Sequence, residues 1–583
     1  MHVLDLPRNG FLSIRNAVRS LRRKGLDYVV LSLEGPFPER AVRRPSLPFP
    51  LSLLPIFPSE SSLEEVGHFL GLLGDDDRVQ GVVFRIAEME AGSASLHGLR
   101  EMILDLGEKG KRTIAWLPSA DTWDYYLASA CQEVILPPSG RLNVLGLRTE
   151  ALFLKDTLAT AGIEADLESI AEYKVTPDMF RRTSMTDPHQ EMLDAILDSL
   201  FEHLLAAISK QRDLTVEQLS RWIDRMPMSP TNALEGGLVD AVLYEDELAA
   251  HLAPGTTEAD EGDSPSGGAD VEPQDYPTLV TADQAARWLK RPAAWTTRKR
   301  IGVVSLEGMI VPGKSRRVPS PLPLPVEGQA GAETLTVALR QAETDPRLAA
   351  VILHVDSPGG SSLASDLIWR QVRRLRETKP VVVLMGDQAA SGGYYVSAPA
   401  NRIVARPTTL TGSIGIWGGK FVIGGLYERL KIGHRELQRG ASADLYSEFR
   451  LFDEEERYRV RQELGETYAR FKSIVADGRG LSDERVEEIA RGRVWTGRQA
   501  LEIGLVDELG DFETALSLAK ELAGLEPERE YTVVQVAPPR EDLLPQPFPT
   551  DGDRAWKALH DLIAQLNSEH VWALAPWTVR VRG

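Results

Sequence analysis

The 583-residue chain sets 85 Asp and Glu against 66 Lys and Arg, a formal charge of −19, with 43% apolar and 26% charged residues. This composition buries a sizeable core and excludes wholesale disorder, and its acidity argues against a nucleic-acid surface, which needs Lys and Arg clustered over a face. The single cysteine, Cys131, permits no internal disulfide, so the fold cannot depend on an oxidising compartment; its apolar surroundings read as core.

From the amino end, FLSIRNAVRSLRRKG at 11–25 sets Phe11, Leu12, Ile14, Val18 and Leu21 near one helical face, opposite several Arg and Lys. That face is expected to pack on the protein itself, with peripheral contact to an anionic membrane as the alternative. The sequence shows neither the roughly 18 consecutive apolar residues of a membrane-spanning helix nor the pattern of a secretory signal. A membrane-associated (peripheral) or cytoplasmic protein is expected. Buried-strand patterns follow at YVVLSLEG (28–35), GVVFRIA (81–87) and TIAWL (113–117), with a Pro-rich stretch, RRPSLPFPLSLLPIFP, at 43–58. After ALEGGLVD (233–240) comes APGTTEADEGDSPSGGADVEPQD (253–275), with seven acidic residues and no basic one, which reads as a solvated linker. A short helix around TADQAARWLKR leads to IGVVSLEG (301–308), Pro-rich SPLPLPVEGQAG (320–331), AVILHVD (350–356), VVVLM (381–385) and ALEIGLVD (500–507). The two Pro-rich stretches are candidate substrate-facing or docking loops. Strands alternating with helical stretches imply parallel βαβ units, an α/β fold.

The second series repeats the first. YYVSAPANRIVARPTTLTGSIGI from Tyr394 aligns without a gap on YYLASACQEVILPPSGRLNVLGL from Tyr125, an offset of 394 − 125 = 269. The chain divides into an amphipathic segment (1–27), a first repeat (28–252), an acidic linker with a short helix (253–298), a second repeat (299–525) and a tail (526–583) whose HVWALAPW aromatics can dock against a neighbour. The same offset sets Thr122 opposite Ser391, Ala443 opposite Lys174 and Val144 opposite Ser413. One copy keeps a candidate nucleophile and the other a candidate base, so any chemistry is assembled between the halves.

Ser391 follows the strand VVVLMG through DQAA and precedes Gly392, Gly393 and a helical stretch, which sets it at a helix start where backbone N–H groups are free. Gly359 and Gly360 in DSPGG end the neighbouring strand. One N–H from that turn and one from Gly392 are expected to form an oxyanion hole. The set DSPGG, ASGGYY and TGSIGI resembles signal peptide peptidase A (protease IV) in its double-length, tandem-repeat form, across both repeats. The resemblance implies two Clp/crotonase-like βαβ superhelix domains, Ser391 as nucleophile and Lys174 of AEYKVTPDMF as general base. In that motif Val175 and Thr176 stand where the family often has small residues. It also implies a serine endopeptidase with no cofactor or metal, acting on unfolded hydrophobic peptides such as cleaved signal peptides, and assembled as a homotetramer. A free lysine amine, with a pKa of about 10.4, cannot take a proton from serine at neutral pH, so burial must lower it and no carboxylate should pair with it. Ser413 is a suitable orienting partner, because a hydroxyl does not stabilise the charged form as a carboxylate would.

Other patterns carry less. GMIVPGKS at 308–315 fits the phosphate-loop string, but RRVPSPLPLP after it cannot open the required helix. His354 reads as a packing histidine rather than a triad member with Asp356 or Asp387, and no Cys/His set has metal-ligand spacing. The competing functions are a crotonase-like acyl-CoA enzyme and a catalytically silent, membrane-associated scaffold.

Overall fold

A computed structural model describes residues 5–21, 26–40, 61–253, 276–293, 297–317, 328–537 and 571–575. The Pro-rich stretch at 43–58, most of that at 320–331, the acidic linker and most of the tail lie outside them. The chain forms two compact units, residues 1–147 with 201–296, and residues 148–200 with 297–582. These units do not follow the repeat boundary. Residues 148–200 belong to the first repeat by sequence but fold with the second, because strand Glu164–Ser169 pairs along its whole length with Trp417–Val422.

Among the described residues the first unit holds one parallel six-stranded sheet, ordered Ala241–Val242, Glu133–Leu136, Arg112–Trp116, Gly81–Met89, Tyr28–Gly35 and Leu279–Thr281. Its central strands are continuous apolar runs, as a sheet covered on both faces requires, and Val82, Val83 and Phe84 are buried. Cys131 is buried, as its surroundings suggested. The helix Asp5–Leu21 corrects the packing expected of it. Its polar side faces inward, with Asp5, Asn9 and Arg19 buried, while Leu6, Phe11, Ile14 and Val18 are between 51% and 64% exposed. Specific polar bonds hold it this way round: Asn16 exchanges two hydrogen bonds with the Arg291 backbone, and Arg78 donates to the Arg19 carbonyl. Among the described residues, no helix is long and apolar enough to cross a membrane.

Among the described residues the second unit has two sheets. The larger runs Val494–Thr496, Leu410–Gly412, Val381–Ala390, Leu348–Ser357, Arg300–Glu307, Thr532–Gln535, with Arg402–Ala405 and Glu508–Leu509 branching from it. Its centre is parallel and apolar, with Val351 to Leu353 and Val381 to Met385 fully buried. The expected α/β class with parallel βαβ units is thus borne out. The smaller sheet runs Arg316–Arg317, Gly328–Gly331, Met309–Val311, Gly359–Ser361, Val571–Leu574, Trp417–Val422, Glu164–Ser169. The GMIVPGKS string falls in this sheet, with strand Arg316–Arg317 rather than a helix after it.

Candidate active site

The parallel strand Val381–Ala390 ends at Ser391, and the helix Gly392–Ser397 begins at the next residue. To make this turn Ser391 takes φ 53° and ψ −111°, a conformation that is rare for a residue with a side chain and costs about 1–3 kcal/mol. The surroundings over-determine it. The Ser391 N–H donates to the Gly412 carbonyl at 2.8 Å, and its own carbonyl accepts from Tyr395 N–H at 2.8 Å. A sharp strand-to-helix turn of this kind lifts a hydroxyl out of the sheet toward the strand ends, where ligands of parallel α/β folds bind.

Lys174 comes to this hydroxyl from the segment following strand Glu164–Ser169, within the same unit and the same chain. Its Nζ lies 2.7 Å from Ser391 Oγ, 3.0 Å from Ser413 Oγ and 3.2 Å from the Ser413 carbonyl oxygen. Lys174 is 1% exposed, and burial alone pushes its pKa well below the usual lysine value. The site offers one hydroxyl that can donate to the amine and two oxygens that accept from it. In its neutral form the amine has one lone pair and two N–H groups, a set that these three oxygens match.

Two glycines make room for this side chain, and sequence reasoning did not single them out. A Cβ on Gly492 would lie 2.5 Å from Lys174 N, and one on Gly415 would lie 3.2 Å from Lys174 Cδ. Their neighbours fix the same loops: Tyr173 N–H donates to the Arg491 carbonyl, Gly492 N–H to Ile414, and Ser413 N–H to Arg493. The string TGSIGI was legible as a motif. The part played by RGR at 491–493 has no signature until the chain is folded.

The glycine turn divides its duties. Gly359 N–H donates to Ser357 Oγ at 3.1 Å, so it is committed within the turn and is withdrawn from the expected oxyanion set. Gly360 has φ 159°, and a Cβ there would lie 1.9 Å from the Ile310 carbonyl oxygen. Gly392 opens a helix, where its N–H has no intrahelical acceptor. The Cβ that Gly359 lacks would be 2.6 Å from Gly392 N and 2.2 Å from the Ala573 carbonyl oxygen, so that oxygen, the turn and Gly392 N–H converge on one spot.

Elsewhere, His354 is buried with Nδ1 3.7 Å from a Glu307 carboxylate oxygen, consistent with a packing role. Asp356, one residue before the turn, is pushed up to about 7 by burial and by the like charge of Asp387. In the first unit, Thr122 spends its hydroxyl on the Gly146 carbonyl at 3.0 Å, and Val144 is buried apolar packing.

A serine at a strand-to-helix turn, a buried amine against it and glycine N–H groups beside it define a serine hydrolase class of site. Residues 106–257 and 373–526 match Peptidase family S49, one stretch in each repeat, and the chain belongs to that family. It is 31% identical to the chloroplastic serine protease SPPA of Arabidopsis thaliana over 84% of this chain and 69% of that protein. It is 30% identical to Protease 4 of Salmonella typhi over 80% of this chain and 73% of that one. Protease 4 of Haemophilus influenzae is likewise 30% identical, over 79% and 72%. With these relatives the chain is a peptidase of the serine class in a tandem, double-length form.

Proposed function

We propose that the chain is an endopeptidase with a Ser391/Lys174 dyad that hydrolyses short hydrophobic peptides, cleaved signal peptides among them. The observation that carries this reading is the buried Lys174 amine, 2.7 Å from Ser391 Oγ and, among the described residues, otherwise bonded only to Ser413. As Ser391 Oγ attacks the peptide carbonyl carbon, its proton passes to Lys174 Nζ. The two Ser413 oxygens accept the remaining N–H groups and orient the ammonium. The Gly360 and Gly392 N–H groups receive the developing oxyanion. Collapse breaks the C–N bond, and Lys174 returns the proton to the departing amine. Lys174 then takes a proton from water as the water attacks the acyl ester, and Ser391 recovers the proton when the acid leaves. No metal or nucleotide enters any step.

Labelling by a fluorophosphonate probe tests the reading: Ser391→Ala should abolish both label and hydrolysis, and Lys174→Ala should cost about 10⁴-fold or more in kcat. An unlabelled wild-type chain would favour the silent scaffold. Peripheral membrane contact and a tetramer belong to the same proposal. Residues 1–25 carry six basic residues and one acidic in a chain of net charge −19, beside the exposed face of Leu6, Phe11, Ile14 and Val18. Cosedimentation with anionic vesicles should weaken on Ile14→Glu, and light scattering should give four copies; retention by the variant, or a monomer, removes the respective claim.

A further inference from the structure

The smaller sheet of the second unit contains a strand from the far carboxy end. Val571–Leu574 lies between Gly359–Ser361 and Trp417–Val422 and is antiparallel to both. Take it away, and the remaining strands face each other across a slot two strand spacings wide, each roughly 4.8 Å. A slot of that width takes an extended peptide that adds main-chain bonds on both sides.

The register places the inserted strand against the reactive groups. Ala575 N–H donates to the Pro358 carbonyl at 2.7 Å, and Gly359 faces Leu574, Gly360 faces Ala573 and Ser361 faces Trp572. Antiparallel pairs alternate between bonded and unbonded, so Gly360 and Ala573 form the next bonded pair and the Ala573 carbonyl accepts Gly360 N–H. This is the oxygen that converges with Gly392 N–H, in the place where a substrate carbonyl must sit. The flanks are held as well: Thr176 Oγ1 donates to the Leu574 carbonyl at 2.9 Å, and Trp572 stacks on Trp417 at 6.2 Å between ring centres. Side chains alternate, Ala573 packing in the main core and Trp572 and Leu574 in the apolar cluster with Met309, Val311 and Phe421. With the strand in place, Ser391 is fully buried.

We infer that residues Val571–Ala575 occupy the peptide-binding slot of the chain's own active site as a built-in competitor, with Ala573 in the position of the residue whose carbonyl is attacked. The inference rests on the serine-peptidase site proposed above and deepens it. The slot takes an extended peptide with a small side chain at the attacked residue and large apolar ones on either side. Because Thr176 and Pro358 fix the residues after Ala573, a freed amine would stay beside the acyl group, and reversal would outrun departure.

The test measures the rate at which a fluorophosphonate labels Ser391 in the full-length chain, with the intact mass of 64.3 kDa verified first. Ala573→Arg places a charge that the buried position cannot hold, and Trp572→Ala removes the stack on Trp417. Both should label faster than wild type by about tenfold or more, as expected if the open state is a minor one. Synthetic peptide VWALA, added to the Trp572→Ala chain, should protect Ser391 competitively, which keeps the test sound if the arginine variant does not fold. Wild-type rates in both variants, with no protection by the peptide, would overturn the inference while leaving the peptidase reading intact. A wild-type chain ending at Ala573 would also overturn it, since the occupant would be a consumed substrate. Absence of labelling and hydrolysis in every chain would take down both.

Discussion

Gly492→Ala isolates the placement of Lys174 from its chemistry. Gly492 has φ 82°, so alanine there costs about 1–2 kcal/mol of backbone strain before any contact is counted. Its Cβ would also come within 2.5 Å of Lys174 N and 2.7 Å of Lys174 Cα, about 1 Å inside ordinary contact, and both partners are backbone. Lys174 must therefore shift by about that much, and a misplacement of 1 Å at a reacting group costs about 10²-fold in rate. Gly480 supplies the control, with φ 65° and nothing within 4 Å of a Cβ. Gly480→Ala should show the same strain in its urea midpoint and keep wild-type kcat. The assay is peptide hydrolysis at saturating substrate, run beside urea unfolding of each variant. Equal kcat in the two variants, whether both lose activity or both keep it, would refute the idea that the Gly492 cradle sets the reactive distance.

Three further outcomes follow from the same geometry. On the acid limb, hydrolysis should rise with pH as Lys174 gives up its proton, and Lys174→Arg should be inactive throughout because a guanidinium stays charged; an active arginine variant would remove the amine from the mechanism. Ser413→Ala keeps the carbonyl contact but loses the hydroxyl, so kcat should fall about 10- to 100-fold, the worth of one buried hydrogen bond, with KM little changed. Lys174→Met should alter the pH dependence of stability. Burial holds the folded pKa below the unfolded one, so below about 10.4 the unfolded chain binds a proton that the folded chain refuses, and stability is lost as pH falls. The variant lacks this loss, so its advantage in urea should grow as pH falls below about 10.4; an advantage that shrinks would contradict a lowered Lys174 pKa.

The parallel sheets were legible because their strands are continuous apolar runs separated by helical stretches, and the duplication was legible because one gapless alignment fixes its offset. Ser391, Lys174 and Ser413 were likewise named from motifs, and the structure brings both serines within 3.2 Å of the Lys174 amine. What the sequence concealed depends on contacts between distant segments. Gly359 looks equivalent to Gly360 in the string DSPGG until the Ser357 hydroxyl is seen to take the Gly359 N–H. Gly492 is an ordinary turn glycine until Lys174 lies against it. The helix Asp5–Leu21 misled because periodicity marks two faces without saying which is turned inward; Asn16 and Arg78 decided that. Val571–Leu574 is too short to announce a strand, and its place between two sheet edges is set by partners more than 150 residues away in the sequence.

Because residues 148–200 fold with 297–582, the stretch that joins the two repeats also ties the amine to the hydroxyl. Severing the chain inside the acidic segment would leave two pieces, one carrying Lys174 and the other Ser391, and on the proposed dyad neither should turn over peptide alone. Turnover on mixing them would then act as a reporter of reassembly, turning an inherited division of labour into a split-enzyme sensor.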